Sequence, residues 1–150
     1  MMCGVIAIFK HMGSVNVELY EGLLMLQHRG QDSAGMVTTD WQTLCEHKDN
    51  GLVKDVFSSR SVLERLKGGS GIGHVRYPTA GSKSAQEAQP FFVNSPFGIH
   101  LIHNGNIINT RELREHLASS DSFLHRHLRT HSDSEVRPVT HHRQRWTEGH

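Results

Sequence analysis

Cys3 stands directly before Gly4 and the apolar run Val5-Ile6-Ala7-Ile8-Phe9. A cysteine there makes chemical sense as a nucleophile that becomes residue one once Met1 and Met2 are gone. One residue then carries both a thiol and a free α-amine. Their ordinary pKa values, about 8.5 and about 7.7–8.0, lie close enough for the amine to act as base for the thiol. The competing reading is a small buried cysteine at the edge of a first strand.

A nucleophile of this kind needs donors for the negative oxygen that forms when a thiolate attacks an amide. Asn104-Gly105 follows an apolar segment and offers them: a side-chain amide and a backbone N–H unscreened by a Cβ. Removing one such donor in a comparable hydrolase costs about 2.7–4 kcal/mol. Asn-Gly is also a favoured two-residue hairpin turn, and that reading stands beside the first. Arg76 lies within Gly71-Ile72-Gly73-His74-Val75-Arg76-Tyr77, where an unpaired charge would be costly. Its fork of donors matches a planar carboxylate, although a salt bridge accounts for most arginines. Asp133 could take a substrate ammonium group or simply favour a helix N-terminus. Arg76 and Asp133 together would hold the two ends of an amino acid.

Other chemistries find less support. His125, His127, His131, His141 and His142 are dense enough to chelate, yet they lack neighbouring cysteines and the spacing of a zinc finger or of His-Glu-x-x-His. A histidine-rich metal-binding polypeptide is kept as an alternative, with no specific metal site assigned. No P-loop and no Gly-x-Gly-x-x-Gly opens a helix. Basic residues are scattered without aromatic interleaving, so no nucleic-acid partner is expected.

The elements that must position these groups are short and alternate in type. A buried strand is expected at 4–9, then a helix over 15–28 capped by Ser14, with Val15, Leu19, Leu23 and Leu26 on one face. Strands are expected at 34–39, 42–47, 71–77 and 97–103, with one helix or two short ones over 53–67. Asn109 and Glu112 form a capping box for a helix at 110–118. Ser132 and Glu135 open another, but the tail over 137–150 offers it no apolar stripe. The class is therefore α+β, as a layered or sandwich arrangement.

Composition fits one domain. The chain has 150 residues, 36% hydrophobic and 21% charged, with a formal net charge of +1 and thirteen histidines. No apolar run is long enough to span a bilayer, the N-terminus does not read as a signal peptide, and two cysteines suggest no disulfide scaffold. A cytoplasmic protein with no membrane partner is the expectation.

Five ordered motifs carry a resemblance: Cys3-Gly4-Val5, His28 to Gly35, Gly73 to Gly81, His103-Asn104-Gly105-Asn106 and Ser132 to Val136. Together they resemble the N-terminal class II glutamine amidotransferase domain of the amidophosphoribosyltransferase family, which acts in purine biosynthesis. Related amidotransferases tend to show Arg-Gly-Tyr-Asp and Arg-Trp-Ala-Thr where this chain has Arg29-Gly30-Gln31-Asp32 and Arg76-Tyr77-Pro78-Thr79.

The resemblance implies the αββα sandwich of N-terminal nucleophile hydrolases, incomplete at its C-terminus. It implies Cys3 as nucleophile, Asn104 and Gly105 as oxyanion hole, Arg76 on the glutamine α-carboxylate and Asp133 on its α-amine. Arg29, Tyr77 and Thr79 would shape the pocket. The substrate would be L-glutamine, with no cofactor for this half-reaction. In the full-length family the partner is a phosphoribosyltransferase domain or a homo-oligomer, and Mg²⁺ belongs to that second domain. The domain division expected is a partial amidotransferase domain over 1–136 and a divergent polar tail over 137–150. A catalytically inactive or protein-interaction fragment is the alternative.

Overall fold

The computed structural model describes residues 3–77, 87–94, 98–105 and 107–120. Thr79, Asp133, the second capping box, the histidine cluster over 125–142 and the tail lie outside them. The described residues belong to two units, 3–105 and 107–120.

In the first unit, β1 (Gly4–Phe9) leads to α1 (Asn16–Leu26), which tightens into a 3-10 turn at Gln27–Arg29. Then come β2 (Ser33–Thr39), β3 (Leu44–Asn50), the short helices α2 (Val53–Val56) and α3 (Arg60–Arg65), and β4 (Ser70–Arg76). Two short strands close the unit, β5 (Phe91–Val93) and β6 (Ile99–Leu101). The four longer strands form an antiparallel sheet in the order β1-β4-β2-β3, and β5 pairs with β6.

Because strand side chains alternate, the register divides this sheet into two faces. Ile6, Gly73 and Met36 fall in line across it, as do Gly4, Val75 and Ala34. That face carries the core, where Met36, Ala34 and Val75 pack with Leu19 and Leu23 of α1 and Val53, Val56 and Phe57 around α2. Burying side chains of this size stabilises by roughly 1.5–3 kcal/mol each. At Gly71 a Cβ would stand 2.6 Å from a Leu19 methyl, so glycine there lets α1 approach the strand closely.

The opposite face is mixed: Val5, Ile72 and Val37 share it with His74, Arg76, Ser33, Gly35, Glu46 and Lys48, the polar groups gathering toward one end of the strands. The chain around β5 and β6 is tied to it. Lys48 Nζ donates to the Pro90 carbonyl at 2.5 Å, and Glu46 lies 3.1 Å from both Lys48 Nζ and His100 Nε2. Burial alone would raise the Glu46 carboxyl, but the hydrogen bond from His100 and the charge of Lys48 hold it below its ordinary value.

The second unit's described part is one helix, α4 (Thr110–Ser120), opened by a Leu113 N–H donating to the Asn109 carbonyl at 3.1 Å. Its residues 111–117 are exposed, and Arg111 and Glu115 pair one turn apart at 3.7 Å.

Three local expectations are corrected. Ser14 makes no cap bond to α1; its hydroxyl donates to Asn16 Oδ1 at 2.7 Å and accepts from Gly68 N–H at 3.1 Å, so it joins α1 to the turn before β4. β3 begins at Leu44 instead of 42, because Asp40 Oδ1 accepts from the N–H groups of Gln42 and Thr43 and widens the turn. β6 ends at Leu101 and does not continue to 103, for a reason that lies in the site itself.

Candidate active site

β1 and β4 run antiparallel with Gly4 opposite Val75, so Cys3 meets the end of β4 at Arg76 and Tyr77. The Tyr77 N–H points at Cys3 Sγ at 3.3 Å, and the thiol in turn faces the Tyr77 carbonyl at 3.9 Å. An N–H aimed at sulfur stabilises negative charge there. The Cys3 carbonyl is held by two donors: Arg29 Nε at 3.2 Å, delivered by the 3-10 turn, and Asn104 Nδ2 at 2.7 Å. Three segments therefore converge on one half-buried cysteine.

Asn104 reaches Cys3 because the residue before it is clamped. The Gln89 side chain accepts from the His103 N–H at 2.6 Å and donates from Nε2 to the His103 carbonyl at 3.1 Å. These are the bonds a neighbouring strand would make, which is why β6 stops short. Asn104 keeps a negative φ while Gly105 adopts +146°. A two-residue turn of the expected hairpin type needs positive φ at both positions, so the hairpin reading gives way. At its φ, Gly105 occupies backbone space that other residues rarely enter.

Arg76 is buried at 9% exposure and is paired within the chain with two carboxylates. Its guanidinium donates to Asp32 Oδ2 and to Glu87 Oε2. The buried charge that the sequence left without a partner thus has two carboxylates. Asp32 is as buried as Arg76, whereas the Glu87 side chain is 38% exposed. Asp32 is further fixed by its N–H, which donates to the Arg76 carbonyl at 3.1 Å.

His74 lies beneath this group, fully buried, with neither ring nitrogen hydrogen-bonded in good geometry among the described residues. Burial pushes its pKa down to about 4; the His103 backbone and the Asn104 side chain pull it partly back, and the charge of Arg76 lowers it further. The imidazole is neutral at pH 7.

Of the residues singled out from sequence, Cys3, Arg29, Tyr77 and Asn104 are brought together, with Gly105 and Arg76 adjacent to them in the chain. Thr79 and Asp133 lie outside the described residues. Nothing in the local sequence spacing of Gln89, Glu87 or Asp32 marks them individually as site residues. Among the described residues, no group of three or more His, Cys, Asp and Glu could hold a metal ion, and no helix is long and apolar enough to cross a membrane.

Comparison with known proteins places the chain in a family. The sequence pattern described as "Glutamine amidotransferase domain" matches residues 74–149. The chain is 56% identical over 135 residues to an amidophosphoribosyltransferase of Pseudomonas aeruginosa, and 54% identical over 136 residues to one of Escherichia coli. Each match covers 90% of this chain and 26% of the relative, so the chain spans about a quarter of the length of the curated relatives it matches. Among solved structures, one described as the allosteric regulatory enzyme of purine biosynthesis superposes with a TM-score of 0.69 at 40% identity. The glutamine phosphoribosylpyrophosphate (PRPP) amidotransferase from B. subtilis, complexed with ADP and GMP, superposes at 0.67 and 38%. Both superpositions cover 79% of this chain and 25% of the other. The α+β fold is thus of the N-terminal nucleophile hydrolase kind. In sequence and in fold alike, this chain belongs to the glutamine amidotransferase domain family, in the form found in amidophosphoribosyltransferases.

Proposed function

We propose that this chain carries the glutamine-hydrolysing half-reaction, with Cys3 as the nucleophile and L-glutamine as substrate. Removal of the two preceding methionines frees the Cys3 α-amine, which takes the thiol proton. The thiolate attacks the side-chain amide carbon, and Asn104 Nδ2 and the Gly105 N–H receive the negative oxygen. The amine passes the proton to the leaving nitrogen and ammonia departs. Water then resolves the γ-glutamyl thioester to glutamate and frees the thiol.

Substrate recognition follows the charges. Arg76 takes the α-carboxylate, which replaces Glu87 on the guanidinium while Asp32 stays in place. Asp133 takes the α-ammonium group, and Arg29, Tyr77 and Thr79 shape the pocket. The ammonia then passes to a phosphoribosyltransferase domain, where with Mg²⁺ it displaces diphosphate from 5-phosphoribosyl 1-diphosphate.

The observation supporting this reading most strongly is the convergence of the Tyr77 N–H on the Cys3 sulfur and of Asn104 on the same residue. Chain whose first residue is Cys3, by intact mass, should release ammonia and glutamate from L-glutamine. It should lose that activity on Cys3→Ala. No release from correctly processed wild-type chain would overturn the reading.

A further inference from the structure

The Gln89 amide is unusual in what it holds. It is buried at 7% exposure, and both its polar atoms are spent on the backbone of a single residue, His103. Its own backbone is fixed from the other side. A Cβ on Gly35 would lie 2.2 Å from the Gln89 carbonyl oxygen, so the segment rests directly on β2. The next carbonyl, of Pro90, accepts from Lys48 of β3 at 2.5 Å. Position thus passes from the rigid sheet through Gln89 to His103, and from His103 to the two residues that follow it.

We propose that Gln89 is the positioning residue for the oxyanion donors. It sets where the Asn104 amide and the Gly105 N–H point without touching substrate. This rests on the reading of Asn104 and Gly105 as oxyanion donors. A primary amide of this length accepts from the His103 N–H and donates to the His103 C=O at once. An ionised carboxylate keeps the first bond and sets a negative oxygen against the His103 carbonyl; an alkyl side chain makes neither. Rotation of the His103 peptide would carry both donors away together. A misplacement of about 1 Å costs on the order of 100-fold in rate.

The test uses the full chain with Cys3 exposed and the variants Gln89→Leu, Gln89→Glu and Asn104→Ala. Two reactions of Cys3 are compared: L-glutamine hydrolysis, which passes through an oxyanion, and alkylation by iodoacetamide, which does not. The proposal expects Gln89→Leu to lower kcat for glutamine by about 10–100-fold with KM changed little. Alkylation should stay within about twofold, and Gln89→Glu should show a smaller loss of the same kind. In the Asn104→Ala background the further loss from Gln89→Leu should shrink to a few-fold, since coupled residues are not additive. Should Gln89→Leu fail to fold, Gln89→Glu carries the same comparison. Equal slowing of both reactions, unchanged kcat, or full additivity with Asn104→Ala would overturn the proposal. If Asn104→Ala itself left kcat unchanged, the oxyanion reading would fall, and the role of Gln89 with it.

Discussion

Asn104 and Cys3, 101 positions apart in the chain, are joined by a 2.7 Å hydrogen bond from Nδ2 to the Cys3 carbonyl. The bond brings the side-chain donor of the proposed oxyanion hole onto the residue proposed as nucleophile. Under the proposed mechanism the second N–H of that amide would receive the oxyanion, with the side chain already fixed beside Cys3. Asn104→Ala should therefore lower kcat for L-glutamine by about 10²–10³-fold with a smaller change in KM. Steady-state kinetics of the processed chain check this.

The two carboxylates on Arg76 are not equivalent. Asp32 is buried with the arginine, and removing one partner of such a pair costs about 3–5 kcal/mol. Asp32→Ala should lower the stability measured by urea denaturation by about that much. Glu87 is partly in solvent, so Glu87→Gln should cost no more than about 1 kcal/mol. Because Glu87 occupies donors assigned to the substrate, the same change should lower KM for glutamine several-fold. A raised KM would show that Glu87 helps to hold Arg76 for substrate.

His74 should make the fold acid-sensitive in a defined window. The unfolded histidine binds its proton near pH 6.5, while the buried one resists until about pH 4. Below pH 6.5 the unfolded state binds more protons than the native one, so stability falls as pH drops from about 6.5 toward 4 and then levels. The full loss is roughly 3 kcal/mol. His74→Asn should remove this component, seen as a shallower decline of denaturation midpoint with pH over that range.

Gly35 is required by the carbonyl above it. A Cβ there would stand 2.2 Å from the Gln89 oxygen and 2.5 Å from Lys48 Cβ, so the strand or the covering segment must move. Gly35→Ala should destabilise by about 1–3 kcal/mol or more. It should also lower kcat, because the displaced segment carries Gln89. Denaturation and kinetics on the same variant check both effects.

Much of this was legible from residue order. The first-strand run, the helical spacing of Leu19 and Leu23 and the glycine-bearing strand before Arg76 each reflect a local periodicity that packing then uses. Cys3 and Asn104 could be singled out because their types suit the chemistry, and Arg29 only through the family resemblance. What sequence did not reveal was partnership across long separations. Gln89 mimics a strand edge with a side chain, so a strand was expected to run to 103 where the pairing partner is an amide. Arg76 looked unpaired because its carboxylates stand 44 and 11 positions away. Ser14 had the type and place of a helix cap, yet the Gly68 N–H 54 positions on bonds its hydroxyl.

Covalent labelling of Cys3 tests the central claim most directly. Chain shown by mass to begin at Cys3 is treated with 6-diazo-5-oxo-L-norleucine, a diazoketone that mimics glutamine, and the modified peptide is sequenced. The account predicts one adduct, on Cys3, suppressed by excess L-glutamine and lost on Arg76→Ala. An unmodified Cys3 in folded chain, or labelling of Cys45 with equal speed, would contradict it.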